Sequence, residues 1–173
     1  MAATKWNKLS ICLPVLSLVL LVGCSSEDPQ IAELRQQLSI EAEPSGATTI
    51  AVAKEGVGSN PDVSVVAQIL SDESEAFVAG QAAFFIEEVG TESHCENPDC
   101  PFCKEKNAGG PAAAVQFVGE TGEPLAFDAR ELLQVRSGDT VVIEGKGEVV
   151  QGMNLLQITA ETIFVRARTE PSN

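Results

Sequence analysis

Aromatic and catalytic side chains are scarce in this sequence. It has no tyrosine, one tryptophan and a single histidine, His94, among 173 residues. A serine–histidine–aspartate triad would therefore have to use His94, and no serine lies in the setting of a nucleophile elbow. A glycine-rich phosphate loop is also absent. Because the sequence presents no catalytic set, we expect a protein that is not an enzyme.

The sequence also lacks an apolar run long enough to cross a membrane comfortably. Its most apolar stretch, "LSICLPVLSLVLLVG" at residues 9–23, falls short of the roughly 20 residues that a spanning helix needs. Lys5 and Lys8 precede it, which gives the charged and apolar regions of a secretory signal peptide. Residues 1–23 are therefore predicted to be a signal peptide.

The residues around Cys24 resemble the lipobox of bacterial lipoproteins. "LVGC" at residues 21–24 ends the apolar stretch, and a polar "SSED" follows. The resemblance implies that Cys24 is acylated, with palmitate as one such chain, and becomes the first mature residue. Ser25 differs from the aspartate that resembles an inner-membrane retention signal. We expect a lipid-anchored protein on the periplasmic face of the bacterial cell envelope, with the outer membrane favoured.

Basic residues are few. Eleven lysines and arginines face 25 aspartates and glutamates, and the formal net charge is −14. Removal of residues 1–23 takes away two lysines, so the mature charge becomes −16 with His94 neutral. Such a surface repels phosphate backbones and anionic headgroups. We therefore do not expect nucleic acid as a partner, and the charge serves solubility first.

The mature chain divides into a tether, one domain and a short tail. Residues 24–61 carry little core signal and are predicted to be a tether with a short helix at Ile31–Leu38. Within it, "ATTIAVAKEG" has enough apolar character for an edge strand or a short helix packed on the domain. The domain is predicted over residues 62–168, and residues 169–173 are predicted to be a disordered tail.

Short β-branched and aromatic runs separated by turn residues predict an all-β domain after residue 61. One short helix is expected at "DARELLQVRSGD", which begins with an aspartate N-cap and ends at Ser137 and Gly138. The alternation in the last strand shifts phase around Glu161, as at a β-bulge. The predicted strands cover residues 63–70, 81–89, 112–128 with a reversal at "GETGEP", 140–150 and 155–166.

Three strands, a short helix and two further strands form the order of a five-stranded Greek-key barrel, the OB fold. Gly145 and Gly147 share one face and suit the tight bend of a small barrel. "SGDTVVIEGKGEVV" followed by "NLLQITAETIFVR" resembles the closing half of OB domains of the tRNA-anticodon-binding type. The stretch from "EPSGATTIAVAKEG" to "IFVR", with "FVAGQAAFFIEEV", also resembles a family of bacterial envelope proteins with an OB-like domain. This family resemblance implies no catalytic residue.

A cysteine-rich loop joins the second and third predicted strands over residues 90–111. "SHCENPDCPFCKEK" contains Cys95, Cys100 and Cys103, and loops of this length are often functional. One interpretation is a metal site in which these cysteines and His94 bind zinc or copper. Two features weigh against a metal site. His94 and Cys95 are neighbours, and neighbouring residues in an extended chain point to opposite sides, so both can bind one ion only if the backbone turns sharply there. A second Cys-x-x-Cys pair is also missing.

Two other interpretations of the loop concern its thiols. The envelope oxidises nearby thiols, so Cys95 could form a disulfide with Cys100 or Cys103, which leaves one cysteine over. "CPFC" resembles the glutaredoxin tetrapeptide, but a thioredoxin-like site opens a long helix, and "KEKNAGGP" interrupts any helix here. The metal and disulfide interpretations both stay open, with the disulfide preferred.

The leading hypothesis is a non-enzymatic, lipid-anchored OB-like module that binds a protein, a glycan or an ion in the envelope. The alternative is a metal-binding or thiol-redox accessory lipoprotein that uses Cys95, Cys100 and Cys103.

Overall fold

A computed structural model describes residues 28–89, 112–153 and 155–167. Five strands and four helices lie in these ranges. None of these helices is both long and apolar enough to cross a membrane. The elements in chain order are α1 (Pro29–Leu38), α2 (Ile50–Gly56), β1 (Asp62–Ile69), α3 (Glu73–Ala76), β2 (Ala83–Glu87), β3 (Ala112–Phe117), α4 (Ala129–Leu133), β4 (Thr140–Val150) and β5 (Leu155–Val165).

The five strands close into a barrel in the order β1-β2-β3-β5-β4. β3 and β5 run parallel, and the other neighbouring pairs run antiparallel. α4 lies in the connection between β3 and β4. This order is that of the OB fold, so the predicted all-β Greek-key class is confirmed. Besides the helix predicted between β3 and β4, the described residues contain α1, where a helix was predicted, α2, where a short helix was one of two alternatives, and α3, which was not predicted.

The barrel interior follows from the alternation of apolar residues along each strand. β1 buries every second residue from Val63 to Ile69, because successive side chains of a strand point to opposite faces. The largest interior side chains include Phe84 and Phe117, whose ring centroids are 6.5 Å apart. Leu132 of α4 is fully buried and belongs to the same core. α4 therefore contributes to the core from the connection between β3 and β4.

A β-bulge lies between β4 and β5, where the phase shift predicted one. Glu144 pairs with Thr162, but Gly145 pairs with Ala160, so Glu161 is an extra residue on β5. Gly145 permits this close approach, because a Cβ on it would meet the backbone of Thr159 and Ala160. The bulge predicted around Glu161 is confirmed.

The first part of the predicted tether packs on the barrel in the structure. α1 covers the predicted helix and contacts both α4 and β5. Ile31 is 4% exposed and belongs to the core cluster. The N–H groups of Arg35 donate to the carbonyl oxygens of Leu132 (2.7 Å) and Glu131 (2.6 Å). These contacts hold α1 against the end of α4.

Residues 39–48 continue around the barrel wall. The Ile40 N–H donates to the Ile163 carbonyl of β5, and Thr48 exchanges backbone hydrogen bonds with Ser64 and Val66 of β1. β4 lies between these two strands, so the segment passes from one side of β4 to the other. The predicted edge strand is reduced to a single bridge at Thr48.

α2 then packs against β1 and β4, and Ile50 is fully buried. Thr49 caps its first turn, and the Ala51 N–H donates to the Glu88 carboxylate at 2.8 Å. The charged side chain at the end of β2 thereby satisfies a backbone donor of α2. The packed part of the chain thus begins at α1, well before residue 62.

The helix between β3 and β4 is shorter than predicted. Asp128 caps it as expected and accepts a hydrogen bond from the Arg130 N–H. The helix ends at Leu133 rather than at Ser137, because Gln134 adopts a left-handed conformation with φ of 56°. The predicted reversal after β3 is present as an antiparallel bridge between Val118 and Pro124.

Candidate functional site

The residues predicted to carry chemistry lie outside the described ranges. These residues are Cys24, His94, Cys95, Cys100 and Cys103. Within residues 28–89, 112–153 and 155–167, no three His, Cys, Asp or Glu side chains are grouped so that they could hold a metal ion. The metal and disulfide interpretations of the cysteine loop therefore stay predictions.

OB folds bind oligonucleotides and oligosaccharides through the outer face of β2 and β3, together with the β1–β2 and β4–β5 loops. β5 pairs with β3 and extends this face. The strand register fixes how its residues are arranged. Phe85 lies opposite Ala114, and Ala114 lies beside Gln157. Gln116 lies between Ala83 and Thr159 in the next row. The remaining outward residues of the paired parts of these strands are Glu87, which lies opposite Ala112, and Leu155.

The rows that pair β2, β3 and β5 combine one aromatic ring, Phe85, with small side chains, uncharged polar side chains, one leucine and one carboxylate, Glu87. Phe85 is half-buried and does not pack on the core, unlike Phe84, which is almost fully buried beside it. Ala114 lies opposite Phe85, and the Gln116, Gln157 and Thr159 side chains provide neutral donors and acceptors. β2, β3 and β5 contain no lysine or arginine. The arrangement suits an uncharged or cationic ligand better than a phosphate backbone.

The two connections that flank this face differ in character. The β4–β5 hairpin exposes apolar side chains near its turn, with Met153 68% exposed and Val149 38% exposed. The β1–β2 connection contains α3, which is capped by Asp72 through a 2.9 Å hydrogen bond from the Ser74 N–H. Hydrogen bonds from Ser74 hold the pKa of the Asp72 carboxyl below its usual range.

A separate cleft of about 650 Å³ lies beside α4, and a second cleft of about 500 Å³ continues from it. Arg136 and Ser137 line both clefts. The turn that carries them is fixed by the buried Asp139 carboxylate, which accepts a hydrogen bond from the Arg136 N–H at 2.8 Å. The lining residues of the first are Glu73, Arg130, Gln134, Val135, Arg136 and Ser137.

Carboxylates accompany the arginines of these clefts. The Arg130 guanidinium makes a two-pronged contact with Asp128, at 2.8 and 2.7 Å, and lies 3.3 Å from Glu73. The Arg130 hydrogen bonds lower the pKa of the Asp128 carboxyl. Arg166, in the second cleft, pairs with Glu43 at 2.6 Å, and this hydrogen bond lowers the pKa of Glu43. The clefts are therefore not a concentrated cationic surface.

Three of the four residues in the acidic pairs Asp72–Glu73 and Glu87–Glu88 make contacts that hold the fold. Asp72 is the N-cap of α3, and Glu73 faces Arg130. Glu88 accepts a hydrogen bond from the α2 backbone, whereas Glu87 lies on the outer face. A signal for Asp72 was available, because an aspartate followed three residues later by Glu75 fits a helix start. No local pattern could indicate the contact of Glu88.

Comparisons with known proteins identify no family for this chain. No protein-family model matches the chain, and no curated protein sequence matches it. Among solved structures, the chain is similar to the aspartyl tRNA synthetase from Entamoeba histolytica, with 10% sequence identity and a TM-score of 0.46. The similarity covers 79% of this chain and 26% of the synthetase chain, so this chain spans about a quarter of that protein's length. The assignment to the class of OB-fold proteins rests on the strand order and pairing of the barrel itself.

Proposed function

We propose that this chain is a non-enzymatic binding module of the bacterial envelope, anchored by a lipid on Cys24. Its ligand, a protein, a glycan or an ion, binds at the outer face of β2, β3 and β5. The lipobox-like "LVGC" and the preceding apolar stretch support the anchor and the address. The OB barrel supports a binding role, because the fold presents this face to ligands in many unrelated proteins.

The composition of the outer face is the observation that carries the proposed binding role. Phe85 is half-buried and lies opposite Ala114. The amide side chains of Gln116 and Gln157 belong to the same outer face. An aromatic ring beside neutral hydrogen-bonding groups can stack on a sugar or pack against a peptide. Lysine and arginine are absent from these strands and the mature chain is strongly acidic, which argues against nucleic acid.

Substitution of Phe85 tests this proposal. We expect Phe85→Ala to weaken ligand binding by roughly tenfold to a hundredfold, the equivalent of about 1.5–3 kcal/mol for an apolar side chain removed from water. The probes are solubilised cell-wall glycan fragments and detergent-extracted envelope proteins, offered to the immobilised mature chain.

Phe164→Ala is the matched control. Phe164 is also a half-buried phenylalanine, but it lies beyond Ala160, the last β5 residue that pairs with β3, and is opposite Val142 of β4. Equal binding by the two variants would place the ligand elsewhere. A hydrolytic activity that depends on His94 would refute the non-enzymatic part of the proposal.

A further inference from the structure

The packing of α1 fixes where the folded part of the chain meets its anchor. α1 is capped by Asp28, buries Ile31 in the core, and is held to α4 by the two hydrogen bonds from Arg35. α1 therefore belongs to the barrel, and the residues available as a spacer after Cys24 end at Asp28. This argument rests on the proposed lipid attachment at Cys24.

The spacer is short in comparison with the barrel. Four peptide units join Cys24 to Asp28, and with 3.8 Å between consecutive Cα atoms they reach at most about 15 Å. β5 has 11 residues. The ten rises between its first and last residue, at about 3.3 Å each, give a strand about 33 Å long. The anchor therefore cannot reach along the whole barrel, and the side on which α1 lies determines which end is near the membrane.

α1 and the β4–β5 hairpin belong to opposite ends of the barrel. α1 contacts α4, and α4 leads into Thr140 at the start of β4, next to Arg166 just past the end of β5. The hairpin turn lies at the other end of the same two strands, between Val150 and Leu155. We call the end of the barrel at Thr140 and Arg166 the α4 end, and the end at the β4–β5 turn the hairpin end.

The exposed apolar side chains are collected at the hairpin end. Val149 and Met153 are on the hairpin itself, and Val89 follows β2, whose last residue, Glu87, pairs with the first residue of β3. Val52 is on α2, which packs against β4 near Gly147. Among the described residues these four are the large hydrophobic side chains with the greatest exposure.

We propose that the lipidated chain stands end-on at the bilayer, with its α4 end toward the lipid surface and its hairpin end toward the aqueous phase. The mature charge of −16 repels anionic headgroups, so the barrel wall does not lie along the membrane. The exposed face of α1, with Gln30, Glu33 and Gln37, is polar and faces the headgroups without inserting. Met153 and its apolar neighbours consequently face away from the lipid.

Energy transfer from the protein to the membrane tests this orientation. A fluorescent amino acid replaces Glu33 in one variant and Met153 in another, and each lipidated chain is reconstituted into vesicles of phosphatidylethanolamine and phosphatidylglycerol that contain an acceptor lipid. We expect markedly stronger quenching of the donor at position 33. Equal quenching, or stronger quenching at position 153, would overturn the proposal.

A longer spacer provides the control. Insertion of 20 glycine and serine residues between Ser26 and Glu27 should reduce the quenching at position 33 and bring the two positions closer together. If the quenching is unchanged by the insertion, the short spacer does not determine the orientation and the proposal is overturned. Failure of the unmodified chain to float with vesicles would instead refute lipid attachment at Cys24, which is a different result from floating in the wrong orientation.

A second variant tests the hairpin end directly. Met153→Asp should leave the binding of the lipidated chain to the same vesicles unchanged, because this side chain faces water in the proposed orientation. A loss of vesicle binding by tenfold or more would show that the hairpin end inserts into the bilayer and would contradict the proposal.

Discussion

Gly145→Ala tests the central packing feature of the barrel, the bulge between β4 and β5. A Cβ at this position would come well inside contact distance of the Thr159 carbonyl oxygen and within 2.8 Å of the Ala160 Cα. Both atoms belong to the backbone of the neighbouring strand, so no change of rotamer can relieve the contact. The two strands would have to move apart at the bulge.

The loss of stability in Gly145→Ala has two contributions, the overpacking at the bulge and the weakening of backbone hydrogen bonds between β4 and β5. Overpacking of a well-packed core costs typically about 1–3 kcal/mol, and each backbone hydrogen bond weakened by strand separation adds roughly 0.5–1.5 kcal/mol. We therefore expect Gly145→Ala to lower the free energy of unfolding by about 3 kcal/mol or more. For a domain of this size, such a loss is a large part of the total stability.

Two other glycines serve as graded controls. A Cβ on Gly147 would lie 2.9 Å from Val63 Cγ1 and 3.0 Å from Val57 Cγ2. These are side-chain rather than backbone atoms, so Gly147→Ala should cost less than Gly145→Ala, about 1–2 kcal/mol. Gly56 is the last residue of α2 and has no atom within 4 Å of an added Cβ. Gly56→Ala should therefore be neutral or stabilise the fold by up to about 1 kcal/mol.

Urea unfolding followed by far-ultraviolet circular dichroism is the suitable assay. The single tryptophan, Trp6, lies in the predicted signal peptide, and there is no tyrosine, so the mature chain offers no strong intrinsic fluorescence. The chain would be produced from residue 24 onward with Cys24→Ser. If Gly145→Ala unfolds at the same urea concentration as Gly56→Ala, the proposed role of the backbone approach at the bulge is wrong.

Three further expectations concern the anchor, the ligand class and the cysteine loop. Cys24→Ser should abolish lipid labelling and membrane fractionation while the domain stays folded, and continued fractionation by an uncleaved span would contradict the lipoprotein assignment. The mature chain should show no measurable binding to single-stranded DNA or RNA at physiological salt, and a salt-sensitive micromolar affinity would refute the electrostatic argument. If the loop forms a disulfide, denatured and unreduced protein should show one free thiol among Cys95, Cys100 and Cys103, and reduction should cost about 2–4 kcal/mol. If the loop binds metal instead, all three thiols should react after chelation as stoichiometric zinc or copper is released, and three free thiols without metal would exclude both interpretations.

The strands of the barrel could be read from local patterns. Apolar and polar residues alternate along the sequences of β1 and β4, and the bulge appears as a change in the phase of this alternation at Glu161 of β5. Asp128 marks the start of α4 by its type and position. These features were predictable because a strand's two-residue period and a helix cap depend on residues that are neighbours in the chain.

The residues that form the candidate binding face could not be predicted from local sequence patterns. "QAAFFIEEV" predicts a strand, but it does not say that Phe84 points inward while Phe85 points outward beside Ala114 and Gln157. The partner strands are separated from β2 by long stretches of chain, and the register between them is set by closure of the barrel. A shift of one residue would exchange the inner and outer faces.

The packing of residues 28–61 on the barrel depends on contacts between residues that are far apart in the sequence. Within residues 24–61, only "ATTIAVAKEG", which contains Ile50, has enough apolar character to predict packing on the domain, yet Ile31 is buried as well. The Arg35 side chain reaches a carbonyl 97 residues away, and Glu88 caps a helix 37 residues before it. A weakly apolar segment gains its stability from the surface it covers, so its structure is decided when the completed barrel offers that surface.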